Sequence, residues 1–176
     1  MKRFLLLLVA VFAVCSLSAS DKLIWKADFS KLVGKNTGTG AWYNKKNGVE
    51  LNVTGNKNTM TINIVKNPKK GFLDIQGLTL YPGKYEKGVK YEASYKLKSN
   101  KPVKVWAAVA MSKAPWKAFK GEYIELEPNE VEDVDFDFVI PQTYDGRFRI
   151  VFLGLGNADD GTVIEISDLK LEKDID

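Results

Sequence analysis

Beyond the first twenty residues, apolar side chains recur at every second position in one short run after another, and no window holds them at helical spacing for three turns. In Val103–Met111 the odd positions carry the larger aliphatic set, so one face is core and the other presents Lys104, Trp106, Ala108 and Ala110. In Val134–Ile140 the even positions are core and the aspartates point away. Pro141 and the Asp145-Gly146 pair then supply a stop and a turn, after which Phe148, Ile150 and Phe152 resume the core face. This pattern predicts a β-hairpin that pairs Phe138 with Phe148 and sets Asp137 opposite Arg149. A second hairpin is predicted from Tyr91–Leu97 through Ser99-Asn100-Lys101-Pro102 into the Val103 strand. Further strands are expected over Leu23–Phe29, Val49–Thr54, Thr59–Val65, Phe72–Leu80, Glu122–Leu126 and Thr162–Leu171. Two segments, Lys31–Lys46 and Ser112–Gly121, read as long loops. The expectation is an all-β chain, a two-sheet antiparallel β-sandwich or jelly roll.

The leading segment is different in kind. Lys2-Arg3 is followed by an apolar run from Phe4 to Val14 and then by small residues ending Ser18-Ala19-Ser20, the make-up of a signal peptide over 1–20. The apolar run falls short of the roughly 20 residues a membrane-spanning helix needs. Cys15 follows Val14, unlike a lipoprotein acceptor, which Gly, Ala or Ser normally precedes, so cleavage near Ser20 removes the one thiol with the leader. One domain then fills 21–176, without a disulfide, which suits a bacterial exported protein. The chain has 26 Lys+Arg against 22 Asp+Glu and no His. Lysines scattered singly or in pairs leave no electrostatic footprint for nucleic acid. Without imidazole there is no Ser-His-Asp or Cys-His nucleophile pair and no His-ligated metal. Oxygen chemistry survives: sugar binding, Ca²⁺, or a two-carboxylate glycosidase.

The run Leu80-Tyr81-Pro82-Gly83-Lys84-Tyr85 through Tyr91-Glu92-Ala93-Ser94-Tyr95-Lys96-Leu97-Lys98-Ser99 resembles a strand of jelly-roll carbohydrate-binding modules of the family 4/9/22 type, which share a galactose-binding-like fold. Arg147–Gly156 followed by Gly161–Leu171 resembles their closing pair of strands, and Ala27-Asp28-Phe29-Ser30 is a weaker echo of their opening segment. The resemblance implies a secreted, non-catalytic protein whose partner is a polysaccharide or oligosaccharide, held in a cleft on the outer face of one sheet. It also implies a structural calcium ion between the first-strand loop and the last strand, with Asp28, Ser30 and Asp168 at the corresponding positions. Ser30 stands where the family has an acidic residue, and Asp168 is open to a second role in a β-bulge.

A sugar presents a face of C–H groups rimmed by hydroxyls, so its site needs an exposed flat ring beside amides, carboxylates or arginine. Trp106 meets that description through its strand parity, with Ala108 and Ala110 leaving room beside it; packing under a loop at the sandwich edge is the competing reading. Trp42, Tyr43 and Trp116 fall in the two long loops, where they form either a cleft rim or clusters that pin the loops down. Glu92, Asp135, Asp137, Arg147 and Arg149 share the outward parity and are candidate hydroxyl partners. Trp25 reads as core, as do Tyr91, Tyr95 and Phe136. The acidic run Glu130–Asp137 allows two further readings, a solvated face or a glycosidase pair drawn from Glu132 and Asp135. A protein-interaction or structural β-sandwich is the remaining alternative.

Overall fold

A computed structural model describes residues 22–33 and 39–174. The expected signal peptide and Cys15 lie outside the described residues. The strands are β1 (Lys22–Lys26), β2 (Gly40–Tyr43), β3 (Glu50–Gly55), β4 (Thr59–Lys66), β5 (Ile75–Leu80), β6 (Lys90–Ser99), β7 (Val103–Met111), β8 (Ala118–Leu126), β9 (Val131–Val139), β10 (Phe148–Gly154) and β11 (Val163–Lys173). One helical turn, α1 (Phe29–Leu32), follows β1 and buries Phe29.

The strands form two antiparallel sheets, β3-β4-β11-β6-β9 with β1 paired to the end of β11, and β2-β5-β10-β7-β8. They stack as a sandwich. Ile62, Ile64, Leu97, Phe136, Ile164 and Ile166 of the first sheet and Ile75, Val105, Ala107, Phe148, Ile150 and Leu153 of the second are fully buried. Alternation puts these side chains inward and leaves Thr59, Thr61, Glu92, Lys96, Asp133, Asp135 and Asp137 on the outer face of the six-stranded sheet.

Both predicted hairpins are corrected. β9 pairs with β6 and β10 with β5 and β7, so the chain changes sheets between Val139 and Phe148, and again between β6 and β7. A turn signal marks a reversal of direction but not whether the next strand lies beside the last or across the core from it, and core parity is the same in both cases. Asp137 accordingly pairs with Lys90 at 3.0 Å, not with Arg149. The segment expected as a loop over Lys31–Lys46 contains β2 and a 3₁₀ turn at Lys45–Asn47, and the second expected loop is shortened because β8 begins at Ala118.

Phe152 also departs from its expected place. The register of β10 shifts between Arg149 and Phe152 against β7 and between Arg149 and Val151 against β5. The bulge gives two buried residues in succession, Ile150 and Val151, so Arg149 and Phe152 both face outward.

Candidate functional site

The outer face of the five-stranded sheet holds a cleft of about 930 Å³. Cross-strand pairing arranges its floor in rows perpendicular to the strands. The first row runs Trp42, Gln76, Gly154, Trp106, Tyr123 through all five strands. The next is Gly40, Leu78, Phe152, Ala108, Gly121, and the third holds Leu80, Arg149, Ala110 and Ala118. Four inter-strand spacings make a full row roughly 19 Å long. Small residues of the second and third rows leave a trough beside the large rings of the first.

The rings are held from below and from the side. Trp106 meets Tyr123 edge-on at 4.9 Å between centroids. A Cβ on Gly121 would stand 2.8 Å from the Trp106 indole and 2.7 Å from Ala108 Cβ, so the absence of a side chain there lets the indole lie against the sheet. Gly154 does the same for Phe72, whose ring would be 2.6 Å from an added Cβ. Phe72 comes from the β4–β5 connection. That connection is fixed by the Asn67 side-chain amide, which donates to the carbonyls of Gly156 at 2.9 Å and Ala158 at 2.8 Å, and by the Gly156 amide donating to the Phe72 carbonyl at 2.8 Å. Lys69 adds an ion pair with Asp159, which holds the Asp159 carboxyl below its ordinary pKa. At the other edge, Asn44 and Asn47 donate to the Asp74 carboxylate at 3.1 and 2.7 Å, tying the segment after Trp42 to the start of β5.

Trp42, Tyr123 and Trp116 are 49%, 58% and 58% exposed. Trp116 sits in the β7–β8 connection with φ +59°, a conformation that costs a non-glycine residue about 1–2 kcal/mol. Its ring lies 5.1 Å from the Arg149 guanidinium, and Phe152 lies 5.5 Å from the same group. Burial pulls the Arg149 pKa below the ordinary arginine value, partly offset by Tyr144, and the side chain stays a cation.

The sequence candidates therefore separate. Trp42, Trp106, Trp116 and Arg149 come together in the cleft. Tyr43, the next residue along β2, lines a groove on the other side with Lys45 5.3 Å over its ring. Arg147 is at a separate shallow depression with Tyr85 and Asp145. Glu92, Asp135 and Asp137 belong to the six-stranded sheet, where Glu92 is the cross-strand neighbour of Asp137 and Ser94 that of Asp135. Glu132 and Asp135 take opposite faces of β9, so they do not flank one bond as a glycosidase pair must. Tyr91, Tyr95 and Phe136 are buried, and Trp25 packs edge-on against Tyr81 at 5.9 Å. Phe72, Gln76 and Tyr123 are not singled out by the sequence reading, which places Phe152 in the core; outward parity on β5 and β8 points to Gln76 and Tyr123, while Phe72 and Phe152 depend on a loop path and a bulge.

At the positions implied for calcium, the Ala27 amide donates to the Leu169 carbonyl at 2.9 Å, which brings the neighbouring Asp28 and Asp168 to one end of the β1–β11 ladder. Asp28 is already engaged by Ser30 Oγ at 2.5 Å and Lys31 Nζ at 3.0 Å, and these hold its carboxyl below the ordinary range. Asp168 is exposed, has φ +53° and lies in the bulge between Ser167 and Lys170. Among the described residues no three acidic side chains gather, and an ammonium stands beside one of the two carboxylates, so this donor set does not fit an ion that takes six to eight oxygens.

The fold is shared with carbohydrate-binding modules. A family 4 module superposes with a TM-score of 0.63 at 19% identity, covering 76% of this chain and 84% of that one. The N-terminal cellulose-binding domain of β-1,4-glucanase C from Cellulomonas fimi gives 0.60 at 16% identity, covering 85% and 97%. The CBM22-2 xylan-binding domain of Xyn10C from Paenibacillus barcinonensis gives 0.53 at 11% identity, covering 85% and 98%. No family model matches the sequence, and no curated protein does. Among the described residues no helix is long and apolar enough to cross a membrane.

Proposed function

We propose that this chain is an exported, non-catalytic carbohydrate-binding protein that holds a glycan in the cleft of the five-stranded sheet. The observation that carries the reading is the row Trp42–Gln76–Gly154–Trp106–Tyr123, which lines up three exposed or half-exposed rings across a trough of small residues. Pyranose C–H faces stack on such rings, while Gln76, whose amide gives one N–H to the Leu73 carbonyl at 2.9 Å, keeps its oxygen to accept a hydroxyl and a second N–H to donate to one. The shared fold supports this reading, since two of the similar structures are described as cellulose-binding and xylan-binding. No carboxylate lines the cleft among the described residues, which supports binding without cleavage.

Calorimetry against soluble cellulose- and xylan-derived oligosaccharides, together with a wider glycan panel, tests the proposal. Saturable binding that Trp106→Ala weakens without lowering the melting temperature is expected, with no reducing ends released. Failure to bind any glycan would overturn it. The apolar lining of Phe72, Leu73 and Leu78 favours, as a second reading, a protein partner inserting an apolar segment, and a glycan panel without a single binder would leave that reading standing.

A further inference from the structure

Among the described residues the cleft contains one charged group. Of the side chains that line it, Arg149 alone is ionised, and none is acidic. The Arg149 guanidinium forms no ion pair and donates no hydrogen bond among the described residues; its contacts are the rings of Trp116 and Phe152. An aromatic ring offers neither a counter-charge nor a conventional acceptor, so the five guanidinium donors have no protein acceptor among the described residues. The neighbours of Arg149 across the ladder are Ala110 and then Ala118, which leave open space on that side. A half-buried cation thus has its position fixed by two rings and, among the described residues, no acceptor for its donors and no counter-charge. Burial already bears on the group, as the lowered pKa shows. A neutral sugar would satisfy some of the donors but would not offset the charge.

We infer that the cleft selects an acidic glycan, with the carboxylate of a uronic acid residue meeting Arg149 while neutral parts of the chain lie along the Trp106 row. This rests on the proposed carbohydrate-binding role and names the ligand class for the same cleft. Carboxylate is preferred because a guanidinium fork matches its two oxygens with two parallel hydrogen bonds. Arg149 on β10 is level with Ala110, four residues along β7 from Trp106 and so roughly 13 Å along the strand, and the ligand engages both through different sugar units.

The test uses matched pairs of probes: glucuronic-acid-substituted xylan and polygalacturonate, each beside its carboxyl-reduced form, with dextran sulfate as a third arm. Binding is measured by calorimetry or affinity electrophoresis at low and at 0.5 M salt. The expected result is about tenfold or greater preference for at least one uronate over its reduced form, falling at high salt. Arg149→Gln should bring that ratio to about one, and Arg149→Lys should restore only part of it. Equal affinity for both members of each pair, or a preference confined to the sulfated polymer, overturns the uronate inference while leaving glycan binding in place. If neither member of any pair binds, and no neutral glycan does, the carbohydrate reading falls as well.

Discussion

The rings of Phe138 and Phe148 meet edge to face, with centroids 5.7 Å apart, from opposite sheets of the sandwich. Phe119, Tyr81 and Tyr85 join the cluster, at 6.2, 5.1 and 5.6 Å from Phe148. Phe148→Ala removes the centre of this group, and we expect a loss of about 3–5 kcal/mol in urea unfolding. Phe152 is four residues further on but faces the cleft, so Phe152→Ala should cost less than about 2 kcal/mol and act chiefly on ligand affinity. Equal stability losses for the two would contradict the bulge between them.

Trp106 and Trp116 should separate floor from rim. Trp106→Ala is expected to lower glycan affinity about tenfold, equivalent to about 1.4 kcal/mol. Trp116→Ala should weaken binding and also free Arg149 from one of its two ring contacts, so its effect should be largest on the salt-sensitive part of the affinity. Calorimetry at two salt concentrations distinguishes them.

Gly121 offers a test that removes no cleft side chain. Gly121→Ala puts a methyl 2.8 Å from the Trp106 indole and 2.9 Å from the Ala107 carbonyl. The expected outcome is a stability loss of about 1–3 kcal/mol with a changed near-ultraviolet tryptophan signal and weakened glycan binding. Unchanged binding would mean that the orientation of Trp106 is immaterial.

The ion pair between Lys69 and Asp159 lowers the folded-state pKa of Asp159, so the unfolded chain takes up that proton first as pH falls. Its contribution is present above the ordinary carboxylate range and is lost as pH falls through the depressed folded value. Urea midpoints measured from pH 7 to pH 2 should therefore decline less steeply below pH 4 in Asp159→Asn than in the unaltered chain. A parallel decline would show the pair to be inert.

Most of the strands could be read from alternation, because each has one buried face: Val103–Ala107 alternates as expected with Trp106 outward, and Val134–Val139 alternates buried and exposed. Trp106 was legible for the same reason. What alternation does not carry is the partner of each strand. Tyr91–Leu97 and Val103–Met111 present apolar sets that suit neighbours in one sheet as well as opposed strands across a core, so the corner between them read as a hairpin. The candidate polar residues scattered for the same reason: Glu92, Asp135 and Arg149 share outward parity, yet outward means opposite directions on the two sheets. Phe152 was lost to the bulge, which inverts parity without any Gly or Pro to announce it.

A second irregularity faces the first. β8 slips against β7 between Val109 and Ala110, the same level at which β10 slips on the other side. The two extra residues lie along one line that crosses the cleft between its Trp106 end and its Arg149 end, and both bend the sheet there. The gauge of the groove, from indole to guanidinium, is thus set by how many residues β10 places at that crease. Single-residue insertions or deletions in β10 would re-space the two anchors for a ligand of different repeat without exchanging either one.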